Sequence, residues 1–380
     1  MSLTKPPSSA GTVLTPGRPV QEKPLAQRTR RRPLQLLLLV LLIIPVVVVW
    51  QMLNNRLNST DPTVAGRPLS NGQTHLHTIA FGATSDTVYL GTHYGFFSSH
   101  DGGRTWPQQR GTLNNLMILN IAVSPNNSRV LAVIGQPTSG LGNQGGIYFS
   151  SDEGNTWQLG NTPANLSPSA YLFTIQAGTA NAGHFYAFYE FAGWYETRDM
   201  GAHWRAITSG TLSGMQTPSL LTDPKDPNHL LLGGDQGLYE TRDDGHTWNQ
   251  VSAVRGKVLN LVASKTAPSM IYCTTDQGIY RWRTGSPQIT PITNLPLPNP
   301  PGRLATDAGG NVVYALSGPD LWYSSNGGLN WQHRWQFDRG DLISFLVDPL
   351  RPQHLIAGFF MPGRVLTSSD GGNSWQTLTD

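Results

Sequence analysis

The sequence predicts an all-β fold, a seven-bladed β-propeller of four-stranded antiparallel blades, preceded by one transmembrane helix. Three observations carry that expectation. A turn pattern, [Ser/Thr]-x-[Asp/Asn]-x-Gly-x-x-Trp, occurs six times; three short β-forming runs recur upstream of it; and one continuous apolar stretch stands apart near the amino terminus. The 380 residues, 38% hydrophobic and 13% charged with 41 Gly and 28 Pro, suffice for a buried core and supply turn formers for many short strands.

Residues 1–33 are rich in Pro, Ser, Thr and Arg and lack apolar periodicity, so they read as a disordered cytoplasmic tail. They hold seven basic residues against Glu22 alone, whereas the rest of the chain holds 19 basic and 22 acidic residues. The basic character therefore belongs to the tail, and the mildly acidic remainder does not point to nucleic acid as a partner. In residues 34–53, Leu34 to Trp50 is apolar except for Gln35, and Met52 and Leu53 extend it to about the twenty residues that a bilayer-spanning helix needs. Arg28, Arg30, Arg31 and Arg32 abut one end, with Arg56 alone close to the other. The positive-inside rule then puts the amino terminus in the cytoplasm and the propeller outside, on a single-pass cell-membrane anchor. A cleaved secretory signal is the competing reading; the long preceding tail and the missing small-x-small cleavage site favour an uncleaved anchor. Residues 54–74, polar with Pro and Gly, read as a linker. Asn58, Asn126 and Asn165 fit the glycosylation pattern, which matters in a eukaryotic secretory pathway. Cys273, the single cysteine, leaves no intrachain disulfide.

Residues 75–380 carry the repeats. The six turns contain Asp101 and Trp106, Asp152 and Trp157, Asp199 and Trp204, Asp243 and Trp248, Asn326 and Trp331, and Asp370 and Trp375. Gly accepts positive φ, the short polar side chains bind nearby amides, and Trp anchors the next strand by burying a large aromatic area. A carboxylate repeated once per unit in this setting reads as a turn clasp. Asn326 keeps the shape without the charge, so that copy is expected to be slightly weaker. Successive tryptophans lie 51, 47, 44, 83 and 44 residues apart, and the interval of 83 spans two units. Within it, Leu261-Val262-Ala263 and Gly278-Ile279-Tyr280 match the runs of the other units without the turn, which makes seven. Units of this length with three β runs and a strand after Trp read as blades, packed radially with short edges. A final unit running to Leu378 predicts ring closure without a strand exchanged between first and last blades.

The turn resembles the Asp-box, or bacterial neuraminidase repeat, of sialidases, sortilin-type receptors, xyloglucanases and the photosystem II assembly-factor family, over roughly residues 75 to 380. The resemblance implies the fold and leaves the activity open. In that superfamily the boxes lie on one face, and loops joining second to third strands and successive blades form the ligand face. This implies a candidate ligand face containing Tyr94, Arg110, Glu190, Asp235 and Asp276, the two aspartates in matching Asp-Gln-Gly turns of adjacent blades. Two acids and an aromatic can grip a glycan; Asp-Gln-Gly is equally a turn sequence favoured for its glycine. The Arg-Ile-Pro motif of sialidases is not matched. Gly66-Arg67-Pro68-Leu69 comes nearest but precedes the first blade, and sialidase propellers have six blades. Xyloglucanase-like enzymes enclose a cleft between two propellers, against one here.

Of ten histidines, His75-x-His77 places two on one strand face without further ligands in sight. Neither a Cys/His cluster, a phosphate-binding loop nor a nucleophile elbow is present, so no catalytic residue, metal ligand or cofactor is assigned. The expected function is a non-enzymatic module that holds a protein or polysaccharide partner on its loop face. A carbohydrate-active hydrolase using Asp235, Asp276 or Glu190 is the alternative, and a structural spacer a third.

Overall fold

Strands of two to eight residues pair with their chain neighbours, and each group of four folds into one blade. The computed structural model describes residues 75–378 apart from 107–112, 114–115, 139–143, 217–218, 267–268, 295, 297–299 and 339–340. The expected tail, the helix at 34–53, the linker and Arg110 lie outside the described residues. Within them, no helix is long and apolar enough to cross a membrane.

Seven antiparallel sheets, each from consecutive strands, make a seven-bladed propeller. Six have four strands. The first shows Leu76–Phe81, Val88–Thr92 and Gly95–Ser99, and the place for its fourth falls among undescribed residues. The second strand of a blade is covered on both faces, so Val88–Thr92, Leu230–Gly234 and Leu355–Phe359 are buried throughout. The segment lacking the turn signature is a complete fifth blade, Val258–Ala263, Met270–Thr275, Gly278–Arg283 and Thr290–Ile292.

The core is divided into seven apolar clusters, one at each junction between blades. The cluster joining last to first packs Leu76, Val88, Leu90 and Trp106 against Ile356 and Val365. The outer strand Gln376–Thr377 pairs within its own blade, and the Leu76 amide donates to the Phe360 carbonyl at 3.2 Å. Among the described residues the ring thus closes by packing, with no strand exchanged between first and last blades. Gly103 lies at this seam with φ +88°, where a Cβ would overlap Leu378. Each turn tryptophan joins the cluster shared with the preceding blade, as Trp157 does edge-on to Phe96 at 5.1 Å. Blade 5 lacks a turn tryptophan, and Trp282 from its third strand joins the equivalent cluster.

The turns are built as their residue types require. Thr241 Oγ1 donates to Asp243 Oδ1 at 2.7 Å and accepts from the Gly245 amide at 3.0 Å. Asp243 then accepts from the Thr247 amide at 2.8 Å on Oδ1 and from the Thr247 hydroxyl at 2.6 Å on Oδ2. Asn326 retains the Oδ1 bonds, to Ser324 at 3.0 Å and Asn330 at 2.9 Å, but its amide nitrogen cannot accept a third. The turn differs from expectation in having two consecutive positive-φ residues. The first is Gly102, Gly327 or Gly371 in three copies and Glu153, Met200 or Asp244 in the others.

Candidate functional site

The topology separates two ends. Inner strands begin, and second strands turn into third strands, at one end; the repeated Asp turns and the inner-to-second connections lie at the other. Tyr94, Asp235 and Asp276 fall in second-to-third turns and Glu190 ends the second strand of blade 3, so all four share the loop end, while Arg110 is not among the described residues.

Asp235 and Asp276 are structural partners of the backbone. Asp235 Oδ1 accepts from the Gln216 amide at 2.8 Å and Asp276 Oδ1 from the Lys257 amide at 2.9 Å. Each thus fastens its turn to the segment entering its own blade. Tyr94 donates its amide to Thr92 Oγ1 at 3.1 Å, with its ring 5.3 Å from that of His93. Glu190 is exposed and stands opposite Tyr171 in the blade 3 ladder.

Around Glu190 the structure exposes large apolar side chains that the sequence reading did not single out. Tyr171, Phe173 and Phe191 are 45%, 50% and 70% exposed. Phe173 sits at a register shift between Leu172 and Thr174, a bulge that breaks the inward–outward alternation. Phe191 occupies φ +65°, where a bulky L-residue costs about 1–2 kcal/mol that glycine avoids. Three solvent-facing aromatics thus lie at one blade end.

A groove of about 680 Å³ between blades 6 and 7 also opens at the loop end, lined by Arg303, Phe337, Asp338, Asp341, Leu342 and Phe359. Arg364 lies 3.8 Å from Asp338 and stacks 4.3 Å over the Phe359 ring. These acids lie in the connection between blades, where no motif marked them. A cavity of about 730 Å³ opens at the opposite end, where the inner strands finish. Its ionisable residues are Lys265 and Asp348. Burial lowers the Lys265 pKa. Burial would raise that of Asp348, but bonds from Ser85, Arg351 and loop amides outweigh it and hold it at about 2. An aspartate so engaged is a poor general acid or base. A second buried carboxylate, Glu196, is likewise engaged, pairing with Arg198 and Arg205, which also reach Asp244 of blade 4. This braces two blades.

His75, His77 and His93 meet at the loop end of blade 1, with one potential ligand atom from each within 4.8 Å of the others. His93 was not expected there. It approaches because the His93 amide donates to the His75 carbonyl at 3.0 Å as the two strands pair.

No family model matches the chain. A probable oligoxyloglucan-reducing end-specific xyloglucanase of Neosartorya fischeri is 26% identical over 167 residues, 41% of this chain and 19% of that protein. Among solved structures, the GH74 xyloglucanase of Xanthomonas campestris matches with TM-score 0.63 at 15% identity, over 82% of this chain and 55% of its own. The GH74 enzyme of Niastella koreensis gives 0.65 at 16%, over 83% and 55%. YCF48 of Cyanidioschyzon merolae gives 0.57 at 15%, over 80% of this chain and 98% of its own. The likeness is one of fold. The chain spans about half the length of the two enzyme structures, and the matched segment covers under a fifth of the curated relative.

Proposed function

We propose that the protein is a membrane-anchored docking module, held by a helix over residues 34–53, whose propeller lies outside the cytoplasm and receives a partner protein on its loop end. The observation that carries this reading is the exposed aromatic group of Tyr171, Phe173 and Phe191. Aromatics are enriched at the centres of protein interfaces, where they bury large areas at low entropic cost. The Asp-box resemblance supports the scaffold, and the commitment of Asp235 and Asp276 to backbone amides leaves those acids as turn clasps.

The groove between blades 6 and 7 favours a second reading, carbohydrate binding or hydrolysis. It offers two acids, a guanidinium and apolar walls, glycosidases use a pair of carboxylates, and a xyloglucanase is among the proteins the chain resembles.

One experiment separates the two. The full-length chain and its Phe173→Ala/Phe191→Ala variant are tested for binding to a crosslinked envelope extract and a glycan array, with reducing-end release from xyloglucan measured alongside. Docking predicts a single protein captured by the parent chain, lost in the double variant at unchanged thermal midpoint, and no sugar release. Sugar release abolished by Asp341→Asn, with capture unaffected by the aromatic changes, would replace it with the second reading.

A further inference from the structure

We propose that His75, His77 and His93 form a binding site for a divalent transition-metal ion of the zinc class, with one coordination position open to water or an added ligand. The cluster differs from six of the seven other histidines. His184, His203, His229, His333 and His354 each face a carboxylate at 2.7–3.4 Å, and His246 Nδ1 lies 2.6 Å from the Asp243 carbonyl. His77 Nε2 and His93 Nδ1 are buried with no hydrogen-bond partner among the described residues. A buried imidazole nitrogen left without a partner is costly, and a metal ion would satisfy it.

The comparison between blades sharpens the point. The His93 amide bonds the His75 carbonyl as the Asp276 amide bonds that of Lys257, so the two turns are equivalent. At that position blades 4 and 5 carry Asp235 and Asp276, each accepting a backbone amide. Blade 1 carries an imidazole beside two others instead. His77 sits at the inner-strand bulge, where the corresponding residues are Leu119, Phe173, Leu259 and Ile343. Polar ligand atoms thus replace both a turn clasp and an apolar residue at one spot.

The surroundings suit a ligand set. Phe360 from the last blade lies 4.9 Å from the His75 ring and 5.6 Å from that of His77, walling one side. Burial, then His93 and His75, hold His77 at about 4; burial, then His75, lowers His93. Zinc-bound imidazole nitrogens at about 2.0–2.1 Å in tetrahedral geometry lie about 3.3 Å apart, so binding would draw the rings inward by roughly an ångström. Three imidazoles without a carboxylate select zinc, copper or nickel over magnesium or calcium.

The test uses the full-length, tag-free chain, stripped with a chelator and titrated with zinc chloride, then with cobalt chloride as a spectroscopic probe. We expect one equivalent of tightly held zinc and visible d–d absorption from four-coordinate cobalt. His93→Asn, which can accept an amide as Asp276 does, and His77→Leu, which copies the other bulges, should each weaken zinc binding by more than about 100-fold, since outer-shell changes alone cost 10–100-fold. Their metal-free thermal midpoints should match the parent's, and His100→Ala should bind zinc normally. Zinc affinity and cobalt spectra unchanged in both variants, or no stoichiometric binding by the parent, would overturn the site.

Discussion

Asp101, Asp199, Asp243 and Asp370 are held at about 2. Burial opposes ionisation at Asp101 and Asp199 but is outweighed by bonds from Thr105 and His203; at Asp243 and Asp370 the hydroxyls of Thr247 and Ser374 dominate. An unfolded carboxyl titrates near about 3.9. Because the folded values are lower, these groups stabilise the fold fully above about pH 5, and their contribution is lost as pH falls through about 4 towards 2. Urea unfolding across that range should show the loss, and Asp243→Asn/Asp370→Asn should make the acid branch less steep. Equal steepness in parent and variant would mean the clasps do not couple to folding. The clasp chemistry was legible because all its partners lie within a few residues. Asp235 and Asp276 were legible as turn residues, but their amide donors lie 19 residues away in sequence. Their availability for chemistry therefore depended on the fold.

At the scale of the blade, what the repeats leave out is as informative as what they contain. The fifth blade could be read from its strand runs, since alternation and a glycine opening the third strand survive without the turn. That Trp282 enters the cluster between blades 4 and 5 could not, because packing across a junction has no local signature. Trp282→Ala should cost about 3–5 kcal/mol in urea unfolding, the range for deleting a buried large aromatic. A loss below about 1 kcal/mol would show that the junction does not depend on it. The inner-strand bulges were equally hidden. A one-residue shift changes which side chains face solvent, so Phe173 is exposed and His77 is turned towards His93 by pairings that alternation alone does not anticipate.

For the whole molecule, closure by packing sets one end against the other. The end with the repeated Asp turns is occupied by turn clasps, a wide cavity and the Glu196 brace. The loop end carries the aromatic group, the acidic groove and the histidine cluster. The sequence pointed to this end through the Asp-box resemblance, and two of the residues named there, Asp235 and Asp276, hold backbone amides. The exposed aromatics and groove acids carry no motif, and only the ring brings them to one surface. The most direct test of docking is photocrosslinking in native membranes, with a photoreactive residue at position 173, 191 or 350 of the full-length chain. Leu350, 80% exposed at the opposite end, serves as the control. Docking predicts one discrete protein adduct from positions 173 and 191 and none from 350. Adducts of equal yield from all three positions, or from 350 alone, would contradict it.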